Sequence, residues 1–313
     1  MPRLFDLQYD AASGLSLGKR PRQEDAVAHN FTVGADHGFA VLADGMGGHA
    51  AGDLASQIVV TEMFSELKMR SCDPTSMERN IEHALTESID EVNHCIADVF
   101  EERGESGREH MVMGSTLVAP LFFGDRLYWI SVGDSPLFLF RDFKLQRLNE
   151  DHSAAVDIDR MCDQGLIDQN EAKLHPDRGC LTSVLIGEKI PKVDCSSEPT
   201  KLLPGDIVIA ASDGLLFLHE KRITQTIMEH QHLSCAEIVS ALLRDIEALE
   251  DPEQDNVSIC AVRLNSPGHP KSIQSAPVRP AANLVNKPGK LTVLAHKTGK
   301  GASVFCVSQK VKS

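Results

Sequence analysis

Residues 39–52 read "FAVLADGMGGHAAG": an apolar run that ends on Asp44 and passes at once into glycines and alanines. A buried strand can stop on a turn, and Asp-Gly is an ordinary turn dipeptide. That accounts for Asp44 and Gly45 but not for Gly47, Gly48 and Gly52. The stretch also contains G-x-G-x-x-A, part of the dinucleotide-binding fingerprint when it lies between a strand and a helix. Asp44 is therefore a turn residue, a neighbour of a nucleotide loop or a metal ligand, and the surrounding sequence has to decide.

Downstream, Ala50 to Lys68 repeats Leu54, Ile58, Val59, Met63, Phe64 and Leu67 at helical spacing, which predicts an amphipathic helix. A second helix is expected over Ser76 to Glu102, with Ile81, Leu85, Ile89, Val92, Ile96 and Val99 on one face. The stretches "STLVAPLFF" (115–123), "RLYWISV" (126–132) and "PLFLF" (136–140) are short, rich in β-formers and separated by Gly-Asp turns, and predict consecutive antiparallel strands. Residues 151–180 are polar and only weakly periodic, as expected of a subdomain inserted between strands. "PGDIVIAASDG" (204–214) repeats the opening device, an apolar strand closed by Asp213 and a glycine. Helices near 221–230 and 234–249 precede a last strand, "NVSICAVRL" (256–264). Strands and helices come in blocks, which favours an α+β fold over a doubly wound α/β sheet.

The length of 313 residues with 42 % hydrophobic residues supports a sizeable core. No apolar run is long enough to span a membrane, and the N-terminus lacks a secretory pattern, so a cytoplasmic protein is expected. Eight cysteines without a C-x-x-C pair argue against a zinc site, a redox motif or a disulfide framework. The net charge of −14 is unevenly spread: residues 265–313 hold no acid and eight Lys or Arg, leaving −22 on residues 1–264. So acidic a body argues against nucleic acid as the main substrate.

Acids recur at turns or strand ends: Glu24 and Asp25 in "RQED", Asp44 in "ADGMGG", Asp134 in "VGDS", Asp213 in "SDG" and Asp255 in "QDN". Any one of these is ordinary turn chemistry. As a set without His or Cys they suit hard divalent ions such as Mg²⁺ or Mn²⁺. Two such ions sharing one carboxylate can acidify a water and clamp a phosphoryl group. Glycine after the shared Asp lets its carbonyl turn toward a metal, and small residues beyond it let a helix start close by.

At this point the sequence resembles a known family. "RPRQEDA", "LADGMGGHAAGDLAS", "MGSTL", "VGDS", "DHS", "HPDR" with "LTSVLIG", "ASDGL" and "DNVSICAV" are similar, in order and spacing, to the motifs of bacterial metal-dependent protein phosphatases, the type 2C serine/threonine phosphatases. The resemblance covers about residues 8–264. It implies a four-layer α-β-β-α sandwich, two antiparallel sheets face to face with helices outside, and a small flap over about 151–180. It makes Asp44 the ligand shared by two Mn²⁺ or Mg²⁺ ions, with the Gly45 carbonyl and Glu24 on the second ion and Asp213 and Asp255 on the first. Asp25 and Asn256 would support these ligands, Asp134 with Asp213 would hold a weaker third ion, and Arg20 rather than Arg22 would bind substrate phosphate. Metal-activated water would then hydrolyse phosphoserine and phosphothreonine on proteins. The partners implied are such phosphoproteins and a eukaryotic-type Ser/Thr kinase, for a monomer without nucleic acid or a membrane span. Three positions depart from the pattern: Pro136 and Ser183 stand where arginine is usual, and Met46 where eukaryotic members have His.

The rival readings are weaker. A dinucleotide loop would set Asp44 against a pyrophosphate of like charge, and the acid expected about twenty residues on, Glu62, falls inside a helix. "GLSLGKR" (14–20) has the wrong spacing for a P-loop. Cys95 lies in a helical stretch with no arginine loop to serve it as a nucleophile. His49 is expected to be a solvent-facing residue at a helix start rather than an acid. The alternative in another class is an impaired family member acting as a phosphoprotein-binding regulatory module. Its signature would be a lost metal carboxylate, and none is lost. Residues 1–264 are thus expected to form the catalytic domain. Residues 265–313 would be a basic Pro/Gly/Lys-rich tail in which "KLTVLAHKTGKGASVFCVSQKVK" has the pattern of a hairpin.

Overall fold

A computed structural model describes residues 8–32, 35–47, 51–104, 113–265, 296–298 and 301–303. One sheet runs β2 (Asp25–Phe31), β3 (His37–Gly47), β5 (Leu117–Phe123), β6 (Arg126–Val132) and β10 (Thr200–Lys201), with β4 (Met113–Ser115) on β3 and β9 (Asp194–Cys195) on β6. The other runs β1 (Gln8–Ser16), β12 (Val257–Asn265), β11 (Ile207–Ala211), β7 (Leu137–Arg141) and β8 (Lys144–Arg147). The pairings within both are antiparallel.

The run "FAVLA" is apolar at every position because β3 is buried on both faces. Phe39, Val41 and Ala43 face α1 (Ala51–Arg70) and α3 (Ile81–Gly104), meeting Val59, Met63, Leu85 and Ile89. Ala40 and Leu42 point the other way, into an inter-sheet core with Val118, Phe122, Leu139, Val208, Cys260 and Val262. On the far side Ile207, Ile209, Ile259 and Ala261 meet Ile223 and Ile227 of α6 (Glu220–His230) and Ile238, Leu242 and Ile246 of α7 (Cys235–Glu247). Helix, sheet, sheet, helix is the expected four-layer order, with side chains alternating across each strand.

Four local expectations need correction. The helix expected over 76–102 is two, α2 (Pro74–Arg79) and α3, because Asn80 leaves helical geometry at φ −121° and ψ 37° and caps the first. Strands β6 and β7 are not partners: the chain crosses between sheets at Gly133–Pro136, and β7 pairs with β11 and β8. Asp44 lies within β3 rather than at its end, since Gly45–Gly47 continue the strand by pairing with β4. Strands β1, β2, β8, β9 and β10 had no counterpart in the sequence reading.

Between β8 and β9 lie two short helices, α4 (Ala155–Asp163) and α5 (Gln169–Lys173). Strands β13 (His296–Thr298) and β14 (Gly301–Ser303) pair antiparallel within the basic C-terminal stretch. His49 lies outside the described residues. Among the described residues no helix is long and apolar enough to cross a membrane.

Candidate functional site: an acidic cleft at one end of the sandwich

Antiparallel pairing decides where the acids meet. The start of β2 lies against the later part of β3, so Asp44 and Asp25 are direct cross-strand partners. The end of β11 lies beside the start of β12, which brings Asp213 and Asp255 together. Asp134 follows β6 and precedes β7, at the same end of both sheets. Along β3 the alternation that turns Ala40 and Leu42 toward the second sheet turns Asp44 the same way, into the open mouth between the sheets.

Hydrogen bonds fix these positions. Ser212 Oγ donates to Asp25 Oδ2 at 2.7 Å, and Ser258 N–H donates to Ser212 Oγ at 2.9 Å, stitching the two sheets together below the cleft. Asn256 is a hub: its Oδ1 accepts from Glu24 N–H at 2.7 Å, and its Nδ2 donates to the carbonyls of Leu17 and Arg22 at 2.9 and 3.0 Å. Arg20 Nη2 donates to Asp255 Oδ2 at 2.6 Å, which puts the Arg20 guanidinium in the cleft. Gly18 permits this approach: its φ is +59°, and a Cβ there would sit 2.1 Å from the Asp255 carbonyl oxygen.

Sequence reasoning gave no role to "MGSTL", and the structure supplies one. Asp44 N–H donates to Thr116 Oγ1 at 3.0 Å, and the Asp44 carbonyl accepts from Thr116 N–H at 2.9 Å and Ser115 Oγ at 3.0 Å. Thr116 Oγ1 is also 2.8 Å from Ser135 Oγ, beside Asp134. The signal was there in adjacent hydroxyl residues opening an otherwise apolar strand.

The electrostatics are those of crowded carboxylates. Burial, and then the charges of Asp25, Asp213 and Asp134, push Asp44 well above the usual range. Burial is also the leading cause at Asp25, raised to about 7, and at Asp134, raised to about 7 with Asp213 adding to it. Asp213 is raised by burial and by Asp255, and it shares a hydrogen bond with Asp44. Glu24 is raised by burial, against the opposing pull of Arg20.

Such a site has charge to spare for cations, and the donor set fits them: carboxylates and a carbonyl are hard oxygen ligands for Mg²⁺ or Mn²⁺. One part is shaped in advance. A Cβ on Gly52, in the first turn of α1, would lie 2.7 Å from Glu24 Oε2 and 2.8 Å from the Gly45 carbonyl oxygen, so only glycine leaves these two oxygens room to face a common ligand. Asp25 Oδ1 is buried without a hydrogen-bond partner. Among the described residues no three Asp, Glu, His or Cys side chains are placed closely enough to hold one ion between them. Carboxylates crowded in this way repel one another, and the Arg20 contact to Asp255 offsets part of that repulsion.

At one end of this two-sheet α+β sandwich, oxygen donors of the kind that suits hard divalent cations lie beside the Arg20 guanidinium. The chain belongs to the protein phosphatase 2C family, whose model matches residues 18–246. It is 31 % identical over 258 residues to the serine/threonine protein phosphatase PstP of Mycobacterium tuberculosis, covering 81 % of this chain and 44 % of PstP. The chain thus spans less than half the length of that relative. The crystal structure of the M. tuberculosis phosphatase PstP/Ppp superposes with a TM-score of 0.66 at 28 % identity, covering 83 % of this chain and 99 % of that one. A structure of the PstP catalytic domain in complex with two manganese ions has a TM-score of 0.59 at 28 % identity and the same coverage.

Proposed function

We propose that this chain is a metal-dependent protein serine/threonine phosphatase, acting as a cytoplasmic monomer on phosphoserine and phosphothreonine of proteins and opposing a eukaryotic-type Ser/Thr kinase. The observation that carries this reading is the convergence of Glu24, the Gly45 carbonyl, Asp44, Asp213 and Asp255 with the Arg20 guanidinium at one end of the sandwich. The names of the relatives, and the manganese ions in the PstP structure, point the same way.

In this reading Asp44, Glu24, the Gly45 carbonyl, Asp213 and Asp255 would hold the two ions between them. Asp134 with Asp213 would take a weaker third. Bound Mn²⁺ or Mg²⁺ would supply the positive charge that acidifies water and neutralises phosphate oxygens. Asn256 holds the Glu24 and Arg20 loop against the start of β12, and Asp25 braces Asp44 from the neighbouring strand. Arg20 is half exposed, and its planar fork can leave Asp255 for the phosphate oxygens of a substrate. Met46 is exposed at the mouth of the cleft and offers no proton, so the leaving group is protonated from water.

The deciding experiment is hydrolysis of a phosphothreonine peptide with Mn²⁺ or Mg²⁺ and with excess chelator. Turnover should require the metal. Full activity in chelator refutes the reading, and metal-independent binding of the phosphopeptide without turnover would favour an impaired binding module. Arg20→Ala should raise KM by about tenfold or more and lower kcat less, as expected when a phosphate contact is lost. Arg22→Ala should do less, and the reverse order would move the phosphate-binding role to Arg22. The domain division is part of the proposal: because β12 runs through Asn265 on β1, a chain ended after Asn265 should keep metal-dependent hydrolysis of a small aryl phosphate.

A further inference from the structure

Asp134 sits on the turn that carries the chain from one sheet to the other, so no neighbouring strand holds its backbone. The segment from Arg147 to His152 does so instead. Gly133 N–H donates to His152 Nδ1 at 3.2 Å, and the Gly133 carbonyl accepts from His152 N–H at 3.1 Å. Asn149 Oδ1 accepts from Leu137 N–H at 2.7 Å, while its Nδ2 donates to the Ser135 carbonyl at 2.9 Å. Arg147 takes the residue between: its Nη2 donates to the Asp134 carbonyl at 2.7 Å.

The same guanidinium reaches the base of the flap. Arg147 Nη1 donates to Asp151 Oδ2 at 2.8 Å, and Asp151 Oδ1 accepts from Ser153 N–H at 3.0 Å. On the returning side, Thr182 N–H donates to the His152 carbonyl at 2.8 Å. Pro136, buried beside this turn, has no N–H to anchor it and stands where the family pattern has arginine. The cation next to the Asp134 turn therefore comes from β8.

Taken alone, a partly exposed Arg-Asp pair four residues apart contributes little and holds nothing in particular. The carbonyl contact makes the difference. A planar fork can hold a main-chain oxygen and a carboxylate in two fixed directions at once, and an ammonium cannot reproduce that. We propose that Arg147 is a positioning residue for the phosphatase reaction, locking the Asp134 turn to the root of the flap so that the two keep one geometry. The proposal rests on the reading of Asp134 as a site carboxylate; Arg147 itself need touch neither substrate nor metal.

The test compares wild type, Arg147→Met and Arg147→Lys in two measurements. With a small aryl phosphate at saturating Mn²⁺, Arg147→Met should lose about ten- to a hundredfold in kcat with KM changed less than about twofold, the pattern of a misplaced group rather than a lost substrate contact. In metal-free protein, amide hydrogen exchange should accelerate over 133–137 and 151–153 together, while β3 and β11 keep wild-type protection. Arg147→Lys keeps the charge and is the variant to read if the Met form does not fold; it should share the faster exchange and most of the kcat loss. A Met form with wild-type kcat and exchange overturns the proposal, as does a Lys form indistinguishable from wild type, because charge alone would then suffice. If wild type itself shows no metal-dependent hydrolysis, the phosphatase reading fails, and the exchange measurement still decides whether Arg147 locks the turn.

Discussion

Asp44→Asn should cut phosphatase turnover by about a hundred- to a thousandfold, the scale of losing one preorganised charge at a reacting centre, and in excess chelator it should raise the melting temperature. Both effects come from the same placement. Asp44 shares the mouth of the sandwich with Asp25, Asp213 and Asp134, and burial with their charges makes its ionised form costly without a cation. Asparagine is the same shape, carries no charge to repel Asp25, Asp213 and Asp134, and has an amide N–H that can donate to a neighbouring carboxylate. The Thr116 and Ser115 bonds to the main chain of residue 44 do not depend on the side chain and are kept. The metal-free variant should gain about 1–2 kcal/mol, or roughly 2–6 °C, as when a functional site is relieved of strain. Adding Mn²⁺ should invert the order, raising the melting temperature of wild type more than that of the variant, since only wild type has the full ligand charge. Calorimetry with and without chelator, beside the kinetic assay, checks both halves. An inactive variant that also melts lower in chelator would mean that the Asp44 carboxylate is held by a cationic partner in the folded protein.

The legible parts of this site were those that leave a local signal. Asp44 was readable because an apolar run buried on both faces ends on an acid and enters glycines, and the structure gives those glycines work: Gly52 makes room for Glu24 and the Gly45 carbonyl. Asp213 followed a second copy of the same device. Strands β1 and β2 were not readable, since "QYDAASGLS" carries Gly, Ser and Ala in place of strand formers and is ordered by its full-length pairing with β12. The crossing from β6 to β7 was missed for a similar reason. Each strand looks alike from its own residues, and which sheet it joins is decided by distant partners, although Gly133 at φ +101° and Pro136 marked the place. The break at Asn80 lacked a Gly or Pro. Arg147 was invisible as a site residue because its contribution is to a main-chain atom of another segment.

The metal-free protein should lose stability as pH rises from 6.5 to 8, and saturating Mn²⁺ or Mg²⁺ should reverse that slope. Asp25 and Asp134 titrate near 7 in the folded state, and Asp44 and Asp213 are raised as well, against about 3.9 for an unfolded aspartate. A folded carboxyl with a raised pKa binds a proton that the unfolded chain has already released. Its stabilising effect is complete below the unfolded value and is lost as pH climbs through the folded one. Below pH 6.5 two histidines act in the opposite sense. Burial lowers His29 to about 4 and also lowers His152, so each costs stability as the unfolded chain takes up protons. At pH 6.5 an unfolded histidine is still about half protonated, so this opposing contribution fades only by about pH 7.5 and trims the loss that the aspartates set. For groups near 7 the loss over this interval amounts to about 1–3 kcal/mol. Cations need the ionised ligands, so metal binding strengthens over the same interval and adds stability to the folded state. The gap between metal-loaded and metal-free melting temperatures should therefore widen steadily from pH 6.5 to 8. A metal-free curve that is flat or rising there would show that the carboxylates are already ionised and balanced by protein cations, with Arg20 on Asp255 the first of these to substitute.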